Sequence, residues 1–278
     1  ENRFSGTDRV QDANQITAAF TSRLVDSETG LERLKISIGD TLYFRDREVT
    51  GPVIRVGADF LESPIQTSTL SPLVLELSSQ LNKHVSLDGG IQWDPDVNEI
   101  VRGKANIHLV NNPGEILNLG FLYRKSNLIR ESLDRALGND SSLGAPDPSL
   151  TEKDLARLQT YRDNNDVLRS NDIVSSDISF RWPIYDNWFA VGRWQYSFLY
   201  NLTQEGFLGL EKETCCWRFR VIGRQYVNNI GLAANPPPGR DDLSGTQTGL
   251  FFQIEFKGLT GLGEKLDDFF TRSIYGYQ

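Results

Sequence analysis

Apolar residues fall at every second position through most of this chain. In 99–110, Val101, Gly103, Ala105, Ile107 and Leu109 share one face, while Arg102, Lys104, Asn106 and His108 share the other. In 246–258, Thr248, Leu250, Phe252, Ile254 and Phe256 oppose Gln247, Gly249, Gln253, Glu255 and Lys257. In 216–227, Trp217, Phe219 and Val221 oppose Arg218, Arg220 and Arg224. A period of two is the signature of a strand whose faces meet different surroundings. The same beat recurs over 14–25, 32–45, 72–80, 84–93, 115–125, 172–182, 188–200 and 204–212. It predicts about eleven strands, many of about 9–13 residues. Globular strands average about 5–6 residues, whereas a tilted membrane-crossing strand needs about 9–11.

The connectors sort by parity. Those near 26–31, 81–83, 111–114, 183–187 and 213–214 are short. The alternate set holds every long one, 46–71, 126–171 and 228–246, together with the short 94–98 and 201–203. Outer-membrane barrels have short periplasmic turns and longer external loops, and a soluble sandwich has no reason to sort loops this way. Tyr43, Phe44, Trp93, Trp182, Trp188, Phe198 and Tyr200 gather at strand ends, as in interfacial girdles. The reading is all-β: a transmembrane antiparallel barrel, with short turns on one side and long loops on the other. Segment 126–171 breaks the beat. "NLIRESLDRAL" and "LTEKDLARLQTYRDN" have helical spacing, and Ser149 or Thr151 can cap the second helix. This segment reads as an external loop carrying two short helices.

Composition narrows the partners. The 278 residues carry a formal net charge of −8, which argues against nucleic-acid binding. No run of about 18 apolar residues is present, and the mean hydropathy is −0.39; neither fact bears on strands whose apolar positions alternate. Residue 1 is Glu, Met is absent and no leader-like stretch is visible, so the chain reads as a piece of something longer. The two histidines, His84 and His108, accompany no G-x-S-x-G motif and no metal-ligand spacing. An enzyme is not expected, nor a cofactor or metal. His108 shares its face with Arg102 and Lys104 and is expected to line a polar lumen.

Cys215 and Cys216 are the two cysteines of the chain, and they are adjacent. A trans peptide sets their Cα atoms about 3.8 Å apart, short of the about 4.4–6.8 Å of an ordinary disulfide. In an extended segment their side chains would also point to opposite faces. If both ends of a complete barrel face the periplasm, 246–258 runs inward and 215–227 outward. The pair then sits at the oxidising periplasmic rim, well placed to bond a separate periplasmic domain.

"GLEKETCCWRFRV", "TGLFFQIEFKGLTGLG" and the opening "ENRFSGTDRVQDANQITAAFTSRLVD" resemble the C-terminal part of the LptD family of lipopolysaccharide (LPS)-assembly proteins, and the resemblance runs from Glu1 to Gln278. The family's large barrel has roughly 26 strands, at the upper end of common barrels. The resemblance implies that 1–257 supplies about the last eleven, with 126–171 and 228–246 external and 258–278 a tail at the periplasmic rim. It implies residence in the outer membrane of a Gram-negative bacterium, among its lipids. The implied partners are an LptE plug lipoprotein in the lumen, the LptD N-terminal periplasmic domain, an LptA bridge, LPS itself and the barrel-assembly machinery. LPS would leave through a lateral gate between the first and last strands. One edge of that gate would be Gln247, Thr248, Gly249, Leu250, Phe251, Phe252, Gln253, Ile254, Glu255, Phe256, Lys257 and Gly258. The resemblance also implies disulfide bonds from Cys215 and Cys216 to cysteines outside this chain, and "FFQIEF" resembles the signal read by the assembly machinery. Gly245, Gly249 and Gly258 would weaken strand pairing at the gate, although glycine is also common at barrel corners. In the tail, Phe269, Phe270, Ile274 and Tyr275 could tuck under the rim or against the plug, or the terminus could fray. The alternative function is a passive outer-membrane porin; a soluble carbohydrate-binding sandwich is a more distant rival.

Overall fold

The computed structural model describes residues 14–47, 54–56, 59–61, 67–112, 114–126, 128–139, 150–163, 172–228, 245–256, 260–263 and 266–277. All eleven expected segments are strands of one antiparallel sheet. In spatial order these are β1 (Gln15–Val25), β2 (Glu32–Tyr43), β5 (Leu73–Gln80), β6 (Val85–Asp94), β7 (Glu99–Val110), β8 (Ile116–Arg124), β9 (Ile173–Tyr185), β10 (Trp188–Ser197), β11 (Leu202–Glu213), β12 (Trp217–Val227) and β13 (Thr246–Phe256). A twelfth strand, β14 (Thr260–Gly263), adds itself beyond β13. Sequence neighbours pair throughout, apart from a separate hairpin of β3 (Ile54–Val56) and β4 (Asp59–Leu61) between β2 and β5. The edges, β1 and β14, are not bonded to each other, so the sheet is open.

Register carries the alternation across the whole sheet. Ile36 pairs with Leu77, Leu87 with Ile107, Ile107 with Leu119, Ala105 with Phe121, Leu208 with Gly223, and Gly223 with Leu250. These residues share one face, on which Ile36, Leu77, Ile107, Phe121, Leu208 and Leu250 are all exposed. A contiguous exposed apolar surface of this extent is foreign to a water-facing monomer. The opposite face is polar: Lys35 pairs with Ser78, Asp88 with Asn106, His108 with Asn118, Asn118 with Ser179, and Arg220 with both Glu211 and Gln253.

Turn chemistry sets the short connectors. Between β9 and β10 the expected 183–187 turn tightens to Asp186–Asn187, both at positive φ (32° and 62°), as a two-residue hairpin requires. Two long connectors of the same side hold structure of their own. Leu61 of β4 joins Ile129, Leu133 and Ala136 of α1 (Leu128–Ala136) and Leu158 of α2 (Glu152–Asp163) in a small apolar core. Thr151 caps α2: its Oγ1 accepts the Asp154 N–H, and Asp154 Oδ2 accepts the Thr151 N–H in return, a reciprocal box. No helix among the described residues is long and apolar enough to cross a membrane, which says nothing of crossing by strands.

The tail is ordered by packing. Helix α3 (Leu266–Ser273) and the residues after it lie on the polar face of the sheet. Leu266, Phe270, Ile274 and Tyr277 are buried against Ile116, Val191, Phe207 and Ile222 of β8, β10, β11 and β12. These four strand residues form an apolar island inside the polar face, and α3 covers it. Burying each large apolar side chain contributes about 1.5–3 kcal/mol, which is enough to hold a short helix that has little stability alone. Fraying, one of the two outcomes left open for the tail, is not what 266–277 does.

Candidate functional site

Three features converge at one end of β11–β13: a buried ionic network, the turn carrying the cysteines and the outer edge of the sheet. The network begins with Glu211, placed by register opposite Arg220. Both side chains are fully buried, with Arg220 Nε donating to Glu211 Oε2 at 2.7 Å. Arg181 of β9 donates to Glu211 Oε1 through Nε (2.9 Å) and Nη2 (2.7 Å). Arg220 Nη1 donates to Gln253 Oε1 at 2.8 Å. The tail completes the set. Arg220 Nη2 lies 2.8 Å from the Tyr277 hydroxyl and 2.8 Å from Asp267 Oδ1, and the Tyr277 hydroxyl donates to Glu211. Every charge is thus answered, which buried ions require. Burial pushes the Asp267 carboxyl up, but hydrogen bonding and charge from Arg220, with help from Gln253 and Arg218, outweigh it and hold the group below its ordinary range. Burial, then the Glu211 carboxylate, drive the Tyr277 phenol well above its usual value.

A second polar chain crosses β6–β9 on the same face. His108 Nε2 is 3.0 Å from Asp88 Oδ1, and its Nδ1 is 2.9 Å from Asn118 Oδ1. Asn106 donates to Asp88 (2.8 Å), while Asn118 donates to Ser179 (3.1 Å) and to the Tyr275 carbonyl (3.0 Å). The Tyr275 ring rests on His108, centroid to centroid 4.3 Å. The tail is therefore tied to β8, β11, β12 and β13 at once.

Of the polar residues singled out from sequence, Arg218 and Arg220 meet around the tail, Asn106 and His108 meet at Asp88, and Arg224 pairs with Glu205 at 2.7 Å. Register puts Arg102 and Lys104 on this face opposite Gln92 and Gly90. Glu211, Arg181, Asp267 and Tyr277 were not foreseen. Glu205, Glu211 and Glu213 of β11 do alternate in phase with Arg218, Arg220 and Arg224, so the strand-to-strand charge match was readable. For Tyr277 the sequence holds no such signal.

Cys215 and Cys216 do not lie in extended chain. They form the bend between β11 and β12, pinned by Thr214, whose Oγ1 accepts the Trp217 N–H at 3.1 Å. The bend removes the opposite-face geometry of a strand. Both side chains are exposed and their Sγ atoms are 2.7 Å apart.

The expected gate strand is β13, paired along its whole length with β12. Its other edge is not uniformly open. β14 bonds it from Gln253–Gly263 to Phe256–Thr260, so the chain's own tail covers the half nearest the cysteine turn. From Thr246 to Phe252 that edge has no partner among the described residues. Lys257 and Gly258 lie outside the described residues. Gly245, at φ 66°, takes a conformation that favours glycine. No group of three or more potential metal ligands occurs among the described residues.

The family model described as LPS transport system D, LptD, matches residues 1–188. Curated relatives are similar over the whole chain. Proteins named LPS-assembly protein LptD are 32% identical in Methylococcus capsulatus, 33% in Pseudomonas fluorescens and 34% in Ectopseudomonas mendocina. The chain covers 24%, 27% and 28% of their respective lengths, so it spans about a quarter of the curated relatives it matches. The relatives' name denotes LPS assembly, and the description of the family model denotes LPS transport.

Proposed function

This chain belongs to the LptD family, and on that premise we propose that it is the C-terminal part of an outer-membrane barrel that delivers LPS to the outer leaflet. Residues 1–257 form barrel wall, with 126–171 and 228–246 outside the cell and 258–278 on the periplasmic side. The apolar face of the sheet meets lipid, and the polar face, with Arg102, Lys104, Asn106, His108, Arg218, Arg220 and Arg224, lines the lumen beside an LptE plug. LPS arrives from an LptA bridge through the N-terminal periplasmic domain, to which Cys215 and Cys216 are bonded. It leaves sideways between β13 and the first strand of the barrel.

The observation that carries this reading is the half-open edge of β13. An unpaired strand edge is costly in hydrocarbon, so a closed barrel would pair it throughout. Among the described residues β14 bonds only Gln253–Phe256, so a closing strand from elsewhere in the barrel has Thr246–Phe252 to pair with. A seam this short has fewer strand hydrogen bonds to break than the full-length ladders beside it. The test is transfer in proteoliposomes holding the full-length protein and its plug. LPS should reach acceptor leaflets with little conductance of small solutes. Solute conductance without LPS transfer would favour the porin.

A further inference from the structure

We infer that the apolar face next to β13 carries a docking trough for an acyl chain of the LPS leaving the seam. This rests on the lateral-exit reading above and adds the path taken beyond the gate. Register aligns two rows across the sheet on that face. One runs Trp194, Gly206, Gln225, Thr248, and the other Gly192, Leu208, Gly223, Leu250. Glycine at 206 and 223 removes the side chains from the middle of both rows. The result is a depression of about 950 Å³ walled by Phe180, Trp194, Leu208 and Leu250, within the size of sites that hold small ligands (about 300–1,000 Å³).

Its position and polarity select the occupant. Thr248 and Leu250 belong to the half of β13 that β14 leaves unpaired, so the trough begins where a strand could part and runs away from it across β12 and β11. One long side is polar: Thr248, Gln225 and Thr203 follow one another along it on β13, β12 and β11, and Trp194 Nε1 donates to Thr203 Oγ1 at 3.0 Å. Phe180, Leu208 and Leu250 make the opposite side apolar, and Arg193 and Arg224 also border the depression. An acyl chain lying along the apolar side with its sugar headgroup toward the polar side fits this layout, and entry from the edge makes that chain one of the exported lipid.

Both glycines can be replaced without collision. A Cβ at Gly223 meets nothing within 4 Å, and at Gly206 the nearest atoms are 3.7 Å away. The experiment places p-benzoylphenylalanine at the trough wall residue Leu208, and separately at Ile107 on the same face at β7, in the full-length protein with its plug in cells. Ultraviolet light should yield an LPS adduct at Leu208 severalfold above that at Ile107. The adduct should vanish when a disulfide from Thr248→Cys to the first strand locks the seam, and return when reductant opens it. Equal adducts at both sites, phospholipid alone at Leu208, or an LPS adduct that survives the lock would each overturn the trough. Failure of the exit reading has a separate mark, normal surface LPS from seam-locked protein. Gly223→Trp should reduce surface delivery severalfold while the barrel keeps its folded, heat-modifiable migration. Unchanged delivery in that variant would also overturn the proposal.

Discussion

Glu211 and Arg220 face each other across β11 and β12, joined by a 2.7 Å hydrogen bond, and neither side chain exposes any surface. The tail residue Tyr277 bonds to both. The inner face of the sheet and the C-terminus are therefore one folding unit. Removing one member of a buried pair strands the other, at a cost of about 3–5 kcal/mol. Arg220→Ala should lower folded stability by about that amount and release the tail. Arg220→Met combined with Glu211→Leu should not recover it, because Arg181 then loses Glu211 while Gln253 and Asp267 lose Arg220. Denaturation midpoints of the full-length protein in detergent, with protease cutting at Arg272 as the tail readout, check both.

Docking of α3 should depend on acid. The Asp267 carboxyl is held below its ordinary 3.8 by Arg220 despite burial. Its contribution is present above the unfolded carboxyl's value and is lost as pH falls through the lower folded value. A spin label at the exposed Arg272→Cys, in a background lacking Cys215 and Cys216, should be immobile at neutral pH and gain mobility below pH 3.8. Asp267→Asn should raise mobility at neutral pH and flatten the dependence. A tail that stays equally immobile in the Asn variant at every pH would contradict the role given to Asp267.

Cys215 and Cys216 should each be bonded to an upstream periplasmic cysteine in the mature protein. Their exposed turn between β11 and β12 leaves both sulfurs accessible. Non-reducing mass spectrometry of the full-length protein decides this. Recovery of both as thiols, or joined only to each other, would contradict it.

Orientation can be read on intact cells. Lys153 of α2 and Asn187 of the β9–β10 turn are exposed at opposite ends of the strands. In a background lacking the native cysteine pair, Lys153→Cys should react with an impermeant thiol reagent and Asn187→Cys should not. The reverse pattern would invert the barrel and move Cys215 off the periplasmic side.

The sheet was legible because its rule is local. A strand with lipid on one face and polar groups on the other must alternate, and turn residues such as Asp186–Asn187 mark its ends. Arg220 could be assigned to its face for the same reason. What escaped were relationships between strands and tail. Phe270 lies in a short helix and Ile274 just after it, and nothing in their spacing names Val191, Phe207 and Ile222 as their floor. β14 has the sequence TGLG, with little strand propensity; it pairs because the chain turns back along an edge that is already in place. The bend at Cys215–Cys216 depends on the Thr214 hydroxyl, a short-range hydrogen bond that alternation cannot register.

Lateral release requires that the unpaired half of β13 part for LPS to pass. In cells, Thr248→Cys is paired with a cysteine on the facing first strand, placed within disulfide reach. A matched control joins Ala190→Cys to Leu210→Cys, register partners in β10 and β11. Surface LPS is measured with and without reductant. Locking the β13 seam should stop delivery, reductant should restore it, and the β10–β11 bond should leave it largely unchanged. Normal delivery by seam-locked protein would contradict lateral release at Thr246–Phe252 and send the exit through the lumen or the outer loops.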